Sequence, residues 1–190
     1  MTKDYYNKNA KEFIENTINL DMSNLYIRFE KYLPKNAKIL DLGFGSGRDS
    51  LYFSKKGYII TSTDISEEFV KIGREILTNE VILLDTLKMD YNNVFDAIWA
   101  CSSLLHFNDA ELEIAFKNCY NALKNGGVMY TSFKKGTFIG LRNGRFFHDF
   151  ELDDLIFIIK KFNFEILETF TTKDIRPDRV EEWINVIIKK

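Results

Sequence analysis

The chain is poor in the residues that punctuate or cross-link a polypeptide, with 2 Pro and 2 Cys in 190 residues. So little proline disfavours a long linker or a proline-rich recognition segment. Cys101 and Cys119 stand apart, without a CxxC pair. At their spacings from each other and from the 2 His, they cannot assemble the four ligands of a structural zinc, so no metal site is expected. They read as reduced, buried thiols. No charge of one sign dominates: 26 Lys+Arg stand against 28 Asp+Glu, giving a net charge of −2. Such a chain has no global field to draw it onto nucleic acid or an anionic membrane, although a local basic patch stays open. Long apolar runs are missing too. The most apolar stretch, residues 97–107, is about 11 residues, too short to span a bilayer. The polar start Met1-Thr2-Lys3-Asp4-Tyr5-Tyr6 has no signal-peptide character. A cytoplasmic protein without membrane partners is expected. What is abundant is core-forming material, 45% hydrophobic residues with 17 Phe and 9 Tyr, which excludes a disordered chain. The length suits one domain over residues 1–190.

Hydrophobic periodicity alternates between two patterns. Helical spacing predicts helices over residues 5–19 and 22–32, and residues 1–34 are expected to cover a cleft. Short apolar runs bounded by Gly or Asp then alternate with amphipathic segments. Strands are expected at 38–42, 58–63, 81–84, 95–100 and 128–133, and helices at 47–56, 66–77, 109–123 and 153–161. Residues 134–150 read as a loop. Strands near 164–172 and 183–189 have no helix between them. The pattern predicts an α/β fold: a mostly parallel seven-stranded sheet covered on both faces, with an antiparallel hairpin at its C-terminal edge.

The densest signal is Asp41-Leu42-Gly43-Phe44-Gly45-Ser46-Gly47, between a strand and a helix. Glycines there let the backbone turn tightly and a ligand approach the main chain. Asp64 ends the next strand about twenty residues on, where an acid can hold ribose hydroxyls. This is a nucleoside-binding constellation; a plain tight turn does not require the second acid. A dinucleotide loop needs a third glycine at position 48, where Arg48 stands. S-adenosylmethionine carries no phosphate and accepts a different glycine pattern, so it is favoured over NAD.

These residues resemble the class I S-adenosylmethionine-dependent methyltransferases, which implies a Rossmann-like three-layer sandwich. Gly43, Gly45 and Gly47 resemble their first motif, with Asp41 as its upstream acid. Asp64, followed by Ile65, resembles the ribose-binding acid. Asp85, with Thr86, resembles the residue beside the adenine ring. Ala100 to His106 resemble the motif that flanks the methionine part, and Leu123-Lys124-Asn125-Gly126-Gly127 the L-K-P-G-G turn. A narrower likeness is to a small bacterial branch, the tellurite-resistance-type methyltransferases. It is carried by residues 98–106, Gly45-Ser46-Gly47-Arg48-Asp49, Asn143-Gly144-Arg145-Phe146-Phe147 and the tail from Asp174-Ile175-Arg176-Pro177 through Trp183 to Val186. That branch has Cys where this chain has Phe44.

The implied reaction moves a methyl group in line from a sulfonium to a nucleophile, with S-adenosylhomocysteine as product. Orientation alone can lower such a barrier by about 7–11 kcal/mol. A carboxylate or an aromatic face suits the sulfonium, and Asp41 with Tyr5 or Tyr6 are candidates, Tyr5 as a lid. His106 is the candidate base. His148, Arg145, Arg176 and Arg179 are candidate acceptor-binding residues. If these arginines converge with Arg142 and Lys134, the acceptor is a small anion. Trp183 and Asn185 alternate on a strand as core and cleft residues. The expected function is methylation of a small molecule. The alternatives are an RNA or other nucleic-acid methyltransferase and a non-catalytic S-adenosylmethionine-binding module. The former wants a basic face or an N/D-P-P-[YFW] motif, and Leu104-Leu105-His106-Phe107 is not that motif.

Overall fold

A strand buried on both faces alternates its side chains between two cores, and β4 (Phe95–Ala100) does this most clearly. Ile98 and Ala100 enter one apolar cluster, and Ala97 and Trp99 enter the other. The computed structural model describes residues 2–176 and 179–190. Pro177, part of the C-terminal signature, lies outside them.

The remaining elements follow in chain order. They are α1 (Thr2–Thr17), α2 (Ser23–Glu30), β1 (Lys38–Leu42), α3 (Arg48–Lys55), β2 (Ile59–Asp64), α4 (Glu67–Ile76) and β3 (Glu80–Leu83). After β4 come α5 (Asp109–Ala122), β5 (Leu123–Lys134), β6 (Ile139–Arg142), β7 (Arg145–His148), α6 (Leu152–Lys160), β8 (Glu165–Lys173) and β9 (Glu182–Lys189). Seven strands form one sheet in the order β3-β2-β1-β4-β5-β9-β8. Strands β1 to β5 pair in parallel, with Leu40 beside Thr61 on one side and Ile98 on the other. Strand β9 runs antiparallel to both β5 and β8. The expected α/β architecture with a C-terminal antiparallel pair is what forms, and β9 lies inside the sheet while β8 is its edge.

Helices α5 and α6 close one face through Leu112, Phe116, Leu155 and Ile159. On the other face α2 and α3 bring Phe29 and Phe53 against Trp99, Tyr130 and Ile187. The order of connection reverses between β1 and β4, and this opens a crevice at the carboxyl ends of the strands. Helix starts are fixed locally. The Ser66 hydroxyl accepts from Phe69 N at 3.2 Å, and Asn108 and Glu111 form a capping box at the start of α5.

One expectation fails. Residues 134–150 are not a loop: β6 and β7 make a separate antiparallel hairpin. Asn143 and Gly144 turn it with φ of 49° and 77°, the pairing that a two-residue hairpin turn requires. Strand β5 also begins at Leu123, earlier than expected, because Leu123 already pairs with Phe95.

Phe44, the departure inside the glycine loop, packs into a third cluster with Phe69, Val70, Leu77 and Val81. Gly73 on α4 makes room for it: a Cβ there would lie 2.7 Å from Phe44 Cζ. Gly73→Ala is therefore expected to destabilise the protein by about 1–3 kcal/mol through overpacking. A second change, Phe44→Leu, should recover part of that loss. Denaturant unfolding of the two variants checks this, and an unchanged midpoint for Gly73→Ala would refute it.

Candidate active site

The glycine loop sits at the reversal point. Gly43 has φ of 77°, and a Cβ on it would lie 2.5 Å from Ser103 Oγ, so only glycine fits. The amides of Gly43 and Phe44 both donate to Thr63 O, at 2.8 and 3.0 Å, and tie the loop to β2. Asp64 closes β2. Its carboxylate accepts from Ser66 N at 2.9 Å and from Gly45 N at 3.1 Å. Burial pushes this carboxyl up to about 6, against the pull of those backbone donors.

A cleft of about 970 Å³ opens above the loop. Of the expected cofactor residues, Gly43, Gly45, Asp64, Ile65, Asp85 and Thr86 line it. They come from the ends of β1, β2 and β3, and Asp85 is oriented by Leu87 N at 3.0 Å. The fit to a nucleoside cofactor rests on two observations. The loop is a cradle that a Cβ would fill, and Asp64 is a buried carboxylate beside it.

Four expected cofactor residues lie elsewhere. Asp41 is 2% exposed beneath the loop and accepts from Ser50 Oγ at 2.6 Å. Burial, then the charge of Asp49, push its carboxyl up to about 8. Gly47 packs on Leu77 of the α4 end. Ala100 is fully buried in the first core, as the pleat of β4 dictates. Tyr5 does not line the cleft; it packs edge-on against Tyr6, which does.

The acceptor candidates also divide. His106 ends a 3₁₀ turn, Leu104–His106, and lines the cleft. Its Nδ1 lies 2.6 Å from Phe146 O and its Nε2 2.8 Å from Tyr6 Oη. A carbonyl only accepts, so Nδ1 carries the proton and Nε2 accepts from Tyr6. Burial pushes the imidazole down to about 4, aided by the charges of Arg145 and Lys134 and opposed by the Phe146 carbonyl. Neutral His106 is thus the resting form. Arg145, Arg176, Arg179 and Lys134 line the cleft, and so do Trp183 and Asn185. Arg142 does not; it pairs with Asp149 at 2.5 Å. His148 belongs elsewhere: the pleat of β7 turns it away from its neighbour Phe147, onto Phe150 at 4.0 Å and toward a second cavity of about 510 Å³.

In the sequence, Arg48 and Asp49 have a place in a family signature but no role in the site. Both line the cleft. Arg48 grips Asp49 with Nε at 2.6 Å and Nη2 at 2.9 Å, and Trp99 Nε1 adds a bond at 2.8 Å. The adjacency of opposite charges at a helix start was the available signal.

A methyltransferase-domain family model matches residues 39–127. The chain is 30% identical over 103 residues to the phosphoethanolamine N-methyltransferase of Plasmodium falciparum, across 51% of this chain and 39% of that one. It is 33% identical over 95 residues to TehB of Haemophilus influenzae, named a probable S-adenosyl-L-methionine-dependent methyltransferase, across 47% of this chain and 33% of that one. The chain spans less than half the length of these curated relatives. In fold it matches the 1,6-didemethyltoxoflavin-N1-methyltransferase of Burkholderia thailandensis, solved with 1,6-didemethyltoxoflavin and S-adenosylhomocysteine. The TM-score is 0.83 at 16% identity, over 99% of this chain and 86% of that one. Residues 39–127 thus match a methyltransferase domain, and the whole chain shares its fold with the Burkholderia thailandensis enzyme.

Proposed function

We propose that this protein transfers a methyl group from S-adenosylmethionine to a small-molecule acceptor. The observation that carries the reading is the hydrogen bond from Tyr6 Oη to His106 Nε2 beside the cofactor cradle, at 2.8 Å. S-adenosylmethionine, when bound, supplies an electrophilic methyl carbon on a sulfonium. Asp64 would accept the ribose hydroxyl hydrogens, Asp85 and Thr86 would lie beside the base, and the glycine loop would face the rest. Helix α1 acts as a cover. It is held to the start of α4 by Lys3 on Glu67 and by Asn7 Oδ1, which accepts from Ser66 Oγ at 2.6 Å.

An acceptor N–H, O–H or S–H would have to shed its proton as its heteroatom takes the methyl group, with S-adenosylhomocysteine as the leaving group. Tyr6 takes that proton on its oxygen and passes its own to His106 Nε2. The neutral imidazole is ready for this because the Phe146 carbonyl fixes its tautomer. His106 is the base of this reading, and Tyr6 the group that reaches the acceptor. The related fold in Burkholderia thailandensis, solved with a small heterocycle, supports a small acceptor. The likeness to TehB supports a place near the tellurite-resistance-type branch. Cys101 and Cys119 are both free, which suits the reducing cytoplasm. No helix among the described residues is long and apolar enough to cross a membrane.

A metabolite-library screen for S-adenosylhomocysteine release tests the reading, and release without any added acceptor class dependence would sink it. On the acceptor so found, Tyr6→Phe and His106→Gln should each lower kcat by about a hundredfold, and together no further, because they act as one unit. Additive losses would refute the shared proton path. Cofactor binding should also depend on pH. Asp64, pushed up from 3.8 to about 6, must be ionised to accept two hydroxyl hydrogens, so binding releases a proton below that value. Calorimetric affinity for S-adenosylhomocysteine should rise from about pH 5 to about pH 8. Asp64→Asn should flatten the curve and weaken binding by about 1–3 kcal/mol. A flat curve for the unaltered protein would remove Asp64 from the ribose site.

A further inference from the structure

The basic side chains around the cleft are not equivalent. Arg48 is held by Asp49. Arg176 is clamped by both oxygens of Asp174, through Nε at 3.0 Å and Nη2 at 2.8 Å, and Trp183 Nε1 bonds the same carboxylate at 3.2 Å. Lys134 pairs with Glu181 at 2.7 Å, and Arg179 reaches the same acid at 4.0 Å. Lys3 pairs with Glu67. Among the described residues, Arg145 and the exposed Lys173 are the cleft-lining cations with no carboxylate in ion-pair range. Water serves Lys173. Arg145 is different. Its guanidinium lies over Tyr5 at 4.4 Å and near Phe147 at 5.0 Å. Among the described residues its Nε is buried without an acceptor, and its one hydrogen bond, from Nη1 to Tyr6 Oη, is long at 3.4 Å.

A partly buried cation with unused donors is a costly arrangement unless an anion completes it. A planar fork packed on aromatic rings is also the shape that binds a carboxylate or phosphate through two parallel bonds. We infer that Arg145 holds an anionic group of the acceptor, so that the substrate is an organic carboxylate or phosphate ester. This rests on the methyltransferase reading above. The walls nearby, Phe107, Phe146, Phe147 and Trp183, give the rest of such a molecule an apolar surround. Because Arg145 touches Tyr6, the anion sits next to the atom that loses its proton. Arg145 also contributes to keeping His106 proton-poor, and an anion on the guanidinium offsets that field only in the complex. Arg176 and Arg142 do not share this role, since Asp174 and Asp149 hold them, and Arg179 already has Glu181 within 4.0 Å, which it shares with Lys134.

The test is calorimetry on the protein saturated with S-adenosylhomocysteine, titrated with benzoate, phenyl phosphate and neutral benzamide. One of the two anions should bind about tenfold or more tighter than benzamide. Which one it is tells carboxylate from phosphate. Arg145→Gln should abolish that preference, and Arg145→Lys should keep only part of it, since charge remains and the fork is lost. Arg142→Gln, whose residue pairs with Asp149 outside the cleft, should leave it intact. Equal binding of all three probes, or an anion preference that survives Arg145→Gln in a protein with an unchanged melting temperature, overturns the inference. If S-adenosylhomocysteine itself does not bind, the methyltransferase reading fails instead, and the same titrations on the cofactor-free protein still decide the role of Arg145.

Discussion

The buried carboxylate of Asp49 is the knot that joins the glycine loop, the sheet and α2. It is 6% exposed, in the first turn of α3, directly after the glycine loop. A charge so placed stands only if donors surround it. Arg48 supplies a fork, Trp99 reaches from β4, and the Tyr26 hydroxyl reaches from α2. Burial works against the charge, and Arg48 with these donors outweighs it and holds the carboxyl below its ordinary range. The helix that follows the loop, the strand across the reversal point and the helix behind it are thereby fixed by one side chain. Burial, and then the charge of Asp49, raise the carboxyl of Asp41 beneath the loop well above its ordinary range.

The hairpin of β6 and β7 is the second organising element, and it works through its pleat. Successive residues of β7 serve different surroundings. Arg145 and Phe147 line the cleft, while His148 stacks on Phe150 at the second cavity. The carbonyl of Phe146, between them, sets the tautomer of His106. Three side chains from distant parts of the sequence, Tyr6, His106 and Arg145, are thus brought into one line by a strand of four residues. None of them neighbours another in the chain.

The fold was legible because parallel strands buried on both faces leave unbroken apolar runs, and because each run stops at Gly43, Asp64 or Asp85. The same stops located half of the cleft. What was not legible depended on pairing. Asn143-Gly144 is a strong hairpin signal, but it was read only as part of a family signature, and β6 is glycine-bearing and mostly exposed. Tyr5 and Tyr6 differ by one step of helical phase, and tertiary contact with Phe13 and Phe69 decided which faces inward. Ala100 and Asp41 carry family positions, yet the pleat of their strands turns both side chains away from the cleft.

The arginine cluster shows why composition and spacing stop short of chemistry. Four arginines in two segments suggest a broad cationic field. Asp174, Glu181 and Asp149 were in the same segments, and each meets a cation once the chain is folded. The near-zero net charge is therefore not an average over patches of opposite sign. It is made locally, pair by pair, around the cleft itself. Pairing of this kind weakens the long-range field that nucleic acid would follow, and it leaves Arg145 as a half-buried guanidinium without a carboxylate beside it among the described residues. A planar guanidinium held by Tyr5 and Phe147 keeps its direction without an ion pair, which a flexible, solvated Lys173 does not.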